Sequence, residues 1–221
     1  MTEMLTVRAP APLPDLQQRI TAAFEAVMLV RCAQPSGRND PGHIPWGNRP
    51  DGVCMEFSRR DAAHRLLALL QRLGFHGSLH VGAAGIRDQH PIYQVMLSIQ
   101  NRAAVDLILH HGWRTGLALL GDLPEYLTPR RRRHRNHLAA AAWRAATLAA
   151  GYKRQRNHRG FYIGDGDTMT VLVRAGRVLN LHVTAQRRYG CHLVQFSDPV
   201  TAPDNGAVRQ VSNDPQESSR R

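Results

Sequence analysis

Leu138-Ala-Ala-Ala-Ala-Trp-Arg-Ala-Ala-Thr-Leu-Ala-Ala150, closed by Gly151, is the stretch on which the fold of this chain turns. Alanine is the best helix former, so one reading is simply a stable helix. A helix with small side chains on nearly every face can also approach another backbone closely, which is what a helix–helix seam requires. Both explanations stand at this point.

Basic residues bracket this helix. Arg130, Arg131, Arg132, Arg133 and Arg135 precede it, and Lys153, Arg154, Arg156 and Arg159 follow it. Alternation from Lys153 to Arg159 would project charge from a strand or loop toward a groove, and Arg187 and Arg188 join from a later turn. The chain carries 29 Lys and Arg against 17 Asp and Glu, a formal net charge of +12. Such an excess concentrates polyanions and supports phosphate contacts with a steep salt dependence. Because the charge is clustered, it argues for a nucleic-acid partner over a merely solvated surface. An acidic membrane is disfavoured, since no basic helix shows a broad apolar face.

The first half reads as helix, two strands, helix, two strands, helix. Asp15 caps a helix through Val27, with Leu29 to Cys32 leaving it as a strand. Pro35 to Asp51 is a Gly-, Pro- and Asn-rich loop. Val53 to Phe57 is a strand, Ser58 an N-cap, and Ala63, Leu66, Leu67, Leu70 and Leu73 line a helix ending at Gly74. Ser78 to Val81 and Ile92 to Ile99 form paired strands. Ala104, Leu107, Ile108 and His111 then share one side of a helix that stops at Gly112. After the Ala-rich helix, Phe161 to Gly164, Met169 to Arg174, Val178 to Val183 and Cys191 to Phe196 read as a four-stranded meander. Gly164-Asp-Gly-Asp167 and Ala175-Gly176 supply its turns. The expected division is a first repeat at 1–121, a basic linker at 122–137, a second repeat at 138–200 and a disordered polar tail at 201–221.

Other constellations favour plain roles. His134 and His137 could share a helix face, but no third metal ligand stands at suggestive spacing. His110 and His111 read as caps at a helix end. Asp165 and Asp167 lack the rest of a calcium loop, and a hairpin turn is preferred. Trp46, Trp113 and Trp143 are anchors or core. Cys32, Cys54 and Cys191 form no CxxC pair, so neither a zinc ribbon nor a disulfide framework is indicated. With no secretory signal and no apolar run of spanning length, a reduced, cytoplasmic and nucleoid-associated protein is expected. No enzyme motif and no cofactor site emerges.

Three stretches in this order resemble the amino-terminal part of the WhiA family, bacterial regulators built on a LAGLIDADG homing-endonuclease fold. They are Gly52-Val-Cys-Met-Glu-Phe-Ser58 with the helix Ala62 to Gly74, Tyr93-Gln-Val-Met-Leu-Ser-Ile99 with the helix to Trp113, and Asp122-Leu-Pro124 with Ala142 to Gly151. The resemblance covers residues 16–164 and implies two motif helices, Ile20 to Val27 and the Ala-rich one. Packed at a pseudo-twofold axis, these would carry flanking sheets as a saddle over duplex DNA.

Active nucleases of this fold place an acid at the end of each motif helix to hold magnesium. Here Met28, Leu29, Gly151 and Tyr152 follow the expected helices. No carboxylate pair is available, so nuclease activity is not expected. The resemblance also implies a helix-turn-helix domain, absent here, and a helix between the strand pairs of the second repeat, expected to be missing. The chain thus reads as a truncated or divergent relative.

The expectation is an α/β protein whose αββαββα first half precedes a helix plus β-meander. It is a non-catalytic, DNA-associated regulator of transcription, sporulation or cell division. Arg130 to Arg133, Arg135, Lys153, Arg154, Arg156, Arg159, Arg187 and Arg188 contact backbone phosphate. The alternative is a protein-interaction module that binds another regulator. A mobile-element nuclease using Asp165 or Asp167 is a third class.

Overall fold

The computed structural model describes residues 15–33, 47–49, 52–84, 90–121, 127–151, 153–155, 158–188 and 190–197. Trp46, Asp122 to Pro124, Arg156, most of the 35–51 loop and residues 201–221 therefore lie outside the described residues.

The elements run α1 (Leu16–Ala33), β1 (Gly47–Arg49), β2 (Gly52–Phe57), α2 (Arg60–Arg72), β3 (Gly77–Ala84), β4 (His90–Leu97) and α3 (Arg102–Leu120). Then follow α4 (Pro129–Ala149), β5 (Lys153–Gln155), β6 (His158–Ile163), α5 (Gly166–Val178), β7 (His182–Arg188) and β8 (Cys191–Ser197). Both sheets are antiparallel, with strand orders β1-β2-β4-β3 and β5-β6-β8-β7. The chain is α/β, and its two halves repeat one plan of helix, strand pair, helix, strand pair.

The repeat extends to local detail. α2 and α5 are both 13 residues long. Both end in the same motif: Phe75 N–H donates to Leu70 C=O after Gly74, and Leu181 N–H donates to Gly176 C=O after Asn180. Each satisfies an orphan carbonyl through one left-handed residue, Gly74 at φ 95° and Asn180 at φ 57°.

Several expectations need correction here. The second half is not a simple meander, because Met169 to Arg174 lies within α5 and Val178 to Val183 spans its end and the start of β7. Asp165 caps α5, its side chain accepting from Thr168 N–H, rather than forming a hairpin turn. Val171, Leu172, Ala175 and Gly176 supply a helical stripe onto the core. The second repeat therefore has the helix expected to be missing.

Leu29 to Cys32 is helix, not strand: α1 continues to Ala33 with every residue from Ala22 to Cys32 buried. A helix buried on every face is one enclosed by others, here α2, α3 and α4. α3 does not stop at Gly112, where a Cβ would lie 2.8 Å from the Ala23 and Phe24 backbone. Glycine there, and at Gly116 against the Phe24 ring, lets α3 lie close along α1. Its buried face is Val105, Leu109, Trp113 and Leu120, while Leu107 and His111 are exposed.

Ser58 is not a cap; Arg59 precedes α2 and makes no side-chain capping bond. Part of the expected loop is strand β1. Finally, residues 129–137 are not linker. Thr128 caps α4, accepting from Arg131 N–H at 3.3 Å, and Pro129 occupies the first turn.

One continuous core joins the two halves. Among the described residues no helix is long and apolar enough to cross a membrane.

Candidate nucleic-acid interface

The Ala-rich helix is a seam. Ala139, Ala141, Ala142, Ala145, Ala146 and Ala149 of α4 are buried, as are Ala22, Ala23 and Ala26 of α1, and the two helices pack along each other. They run parallel: Asp15 neighbours His134, and ten residues on in each helix Glu25 meets Arg144. Glu25 accepts from Arg144 Nε and Nη2 at 2.8 and 2.6 Å, and from Arg65 Nε and Nη2 at 2.6 and 2.9 Å. Burial alone would push the Glu25 carboxyl up, but the two guanidiniums outweigh it and hold it below the usual range. This triad ties α1, α2 and α4 together.

At the carboxy-terminal end of the seam, Arg31 is buried against Trp113, its Cζ 4.2 Å from the ring centroid. Its Nη2 donates to Asp165 Oδ1 and its Nε to Thr168 Oγ1, both at 2.9 Å. Burial would raise the Asp165 carboxyl, yet the Thr168 N–H and hydroxyl and the Arg31 cation hold it low. Asp165 is thus engaged inside the fold, and Asp167 Oδ2 stands 4.0 Å from the same guanidinium. On the other half, the Arg59 guanidinium closes on Gly151, whose φ of 68° favours glycine.

α1 runs six residues past Val27, so Met28 and Leu29 lie inside the helix rather than at its end. The last turn of α1 is Val30, Arg31, Cys32 and Ala33. Neither it nor the last turn of α4 carries a carboxylate to hold a metal.

Each sheet covers its helices with one face and leaves the other open. In the first sheet Met55, Val95 and Leu97 are buried, while register puts Glu56, Gln94 and His80 in one row on the open face. Gln94 Nε2 donates to Glu56 Oε1 at 2.8 Å. In the second sheet Phe161, Val194 and Phe196 turn inward, with Trp143 of α4 at 4.7 Å from the Phe196 ring and 5.4 Å from Phe161. Its open face holds Tyr162, Gln195, Thr184, Gln186 and Arg188.

The two sheets differ in charge. Strands β1–β4 contain Arg49 and Glu56 and no other Lys, Arg, Asp or Glu. Strands β5–β8 contain Lys153, Arg154, Arg159, Arg187 and Arg188 and no acidic residue.

The structure separates the basic residues that sequence spacing had grouped. Lys153 pairs with Gly160 and Arg154 with Arg159, so both lie at the β5 edge of the second sheet. Arg187 and Arg188 lie on the opposite edge strand, pointing to opposite faces. Arg159 is exposed at the start of β6. Arg130 to Arg133 are exposed at the start of α4, about 30 Å of helix from β5. Arg135 is half-buried and its Nη2 donates to Gly121 C=O at 3.1 Å, closing the end of α3.

The histidines are also rearranged. His134 is buried with Nε2 unpartnered, and its pKa is lowered first by burial and then by His137; His137 is exposed. His110 and His111 lie mid-helix on the exposed side of α3 rather than at its end. No group of three metal-ligating side chains occurs among the described residues. Sequence reasoning missed Glu25, Arg65, Arg144 and Arg31. A lone acid in an apolar helix is a signal for the first, since such an acid needs a buried cation.

No protein-family model and no curated protein matches the sequence. Solved structures do resemble the chain. The N-terminal LAGLIDADG domain of DUF199/WhiA aligns with TM-score 0.48 and 9% identity, over 86% of this chain and 80% of that one. Full-length DUF199/WhiA from Thermatoga maritima aligns at 0.49 and 12%, over 86% and 54%, so this chain spans about half of that protein. I-DmoI in complex with DNA and Mn aligns at 0.47 and 9%, over 80% and 90%. At these identities the likeness concerns the shape of the chain, and function has to be argued from the site.

Proposed function

We propose that this chain is a non-catalytic, DNA-associated protein that lays its second sheet against duplex phosphate. Its role would be that of a WhiA-like regulator of transcription, sporulation or cell division. The observation that carries the reading is the charge asymmetry of two otherwise equivalent sheets. Five cations and no acid on β5–β8 have no counterpart on β1–β4, so the fold does not require them. An acid-free sheet with arginines at its edges and Thr184, Gln186 and Gln195 on its open face suits the phosphates and groove edges of a polyanion. The non-catalytic part rests on Arg31 standing in the last turn of α1, and on Asp165 being engaged by that arginine.

The test is duplex binding by fluorescence anisotropy across a salt series, comparing wild type with a Gln186→Glu/Arg188→Glu variant, both positions lying on the open face. Each lost phosphate contact should reduce the slope of log K against log salt by about 0.9. An unchanged slope and affinity would remove the second sheet from the interface.

A second reading, docking of another regulator, is favoured by one feature. An apolar groove of about 370 Å³ lies between α1, α2 and α3, lined by Leu16, Ile20, Leu73, Leu107 and Ile108. Leu16 and Leu107 are each 70% exposed. Capture of a defined regulator that is lost with Leu107→Asp, with DNA binding intact, would support it.

A further inference from the structure

We propose that the amino-terminal pole of α4 is a second, separate polyanion site, and that the protein bridges two duplex segments rather than covering one. The inference rests on the DNA reading of the second sheet and adds a site that the sheet does not contain.

Four consecutive arginines, Arg130 to Arg133, open α4, and all four are exposed. The first turn contains no acid, and none of the four has an ion-pair partner among the described residues. A helix N-terminus carries partial positive charge, so cations there are disfavoured by the dipole as well as by one another. Among the described residues nothing offsets this arrangement. A bound polyanion reverses both penalties, and residues that break a local rule without a structural gain mark a functional surface.

The neighbourhood adds to the field. α1 runs parallel to α4, so its positive pole lies beside the same end. Exposed His137 and Arg72 line the adjoining cleft of about 360 Å³. Two acids face that cleft: Asp15, which neighbours His134, and Glu25, which is already engaged by two guanidiniums.

Position makes this a site of its own. The 21 residues of α4 span about 30 Å. Arg187 and Arg188 lie toward the opposite end of the seam, because Arg187 pairs with His192, which pairs with Ile163, two residues before the Asp165 that binds Arg31. Screening at 0.1 M salt acts over about 10 Å, so charges this far apart attract phosphate independently. The open face of the second sheet also points away from α4, whose Trp143 fills the covered face. A straight duplex seated on that open face has the sheet between itself and α4.

The experiment mixes donor- and acceptor-labelled duplexes of about 12 base pairs with the full chain, reading energy transfer between them and stoichiometry by sedimentation. Wild type should join two duplexes on one monomer. Arg130→Ala/Arg131→Ala/Arg132→Ala/Arg133→Ala should lower the transfer signal about tenfold or more while single-duplex binding through the sheet persists. The Gln186→Glu/Arg188→Glu variant of the open face should also lose bridging while retaining one duplex. Far-ultraviolet circular dichroism confirms that both variants stay folded. Wild-type binding of one duplex per monomer without transfer would overturn the bridge and leave the DNA reading standing. Bridging that survives in the α4 variant would equally overturn it. Loss of all duplex binding in the sheet variant, with the α4 variant unaffected, would overturn the second site, whereas absence of duplex binding in wild type would sink both readings.

Discussion

Replacing Glu25 tests the link that joins three helices. Its carboxylate is 2% exposed and accepts four charge-assisted hydrogen bonds, from Arg65 and Arg144. Breaking a fully buried ion pair from one side costs about 3–5 kcal/mol. Here the two arginine side chains are 31% and 44% exposed and can recover water, so the lower end applies. Glu25→Ala should destabilise the protein by about 3 kcal/mol, and Glu25→Gln, which keeps the shape but not the charge, by about 2 kcal/mol.

The pH dependence gives the sharper reading. The Glu25 carboxyl is held below its ordinary value of 4.5, so the unfolded chain takes up its proton first as the pH falls. The triad's contribution is therefore complete above about pH 5 and is lost as pH drops through the folded value. Glu25→Gln has no such proton to bind. Urea unfolding followed by circular dichroism should show a gap between wild type and Glu25→Gln that is full at about pH 7 and closes toward about pH 3. An equal gap at both ends would refute an ionised Glu25 held by two arginines.

Three further outcomes follow from the geometry. Gly112→Ala should destabilise by about 1–3 kcal/mol despite the roughly 1 kcal/mol gain in helix propensity, because its Cβ meets the α1 backbone; a neutral result in thermal melts would mean a looser α1–α3 contact. Arg31→Ala should cost about 2–3 kcal/mol and shift Trp113 fluorescence. Arg31→Lys should not restore stability, since lysine cannot both lie flat over the ring and bond Asp165 and Thr168, and full rescue would count against that arrangement. In native protein Ellman's reagent should label Cys191 alone, because Cys32 and Cys54 are buried and burial pushes the Cys32 thiol up; rapid labelling in a Cys191→Ser variant would contradict this.

The elements legible in the sequence were those with one wet face. α2 carries a clean helical stripe ending at Gly74, and β2, β3, β4 and β8 are short apolar runs bounded by turn residues. The misread elements are those where neighbours override local pattern. Val30 and Cys32 look strand-like alone, but enclosure by α2, α3 and α4 makes the whole α1 run helical. Gly112 looks like a stop until the close approach to Ala23 explains it. Met169 to Arg174 alternates like a strand, yet the Asp165 cap and the stripe from Val171 to Gly176 were the stronger signals. Thr128-Pro129 was likewise a start signal for α4, masked by the arginines behind it.

By itself the sequence determined that the chain is basic, α/β and built around an alanine helix, because composition and local periodicity are properties of neighbouring residues. It could not determine where the charge lies. Two-residue periodicity sends Arg187 and Arg188 to opposite faces, and 21 helical residues carry Arg130 to Arg133 away from Lys153. Nor could it show that Glu25 lies between Arg65, 40 positions away, and Arg144, 119 positions away. Such partners meet only when the helices pack, so tertiary structure alone decides them.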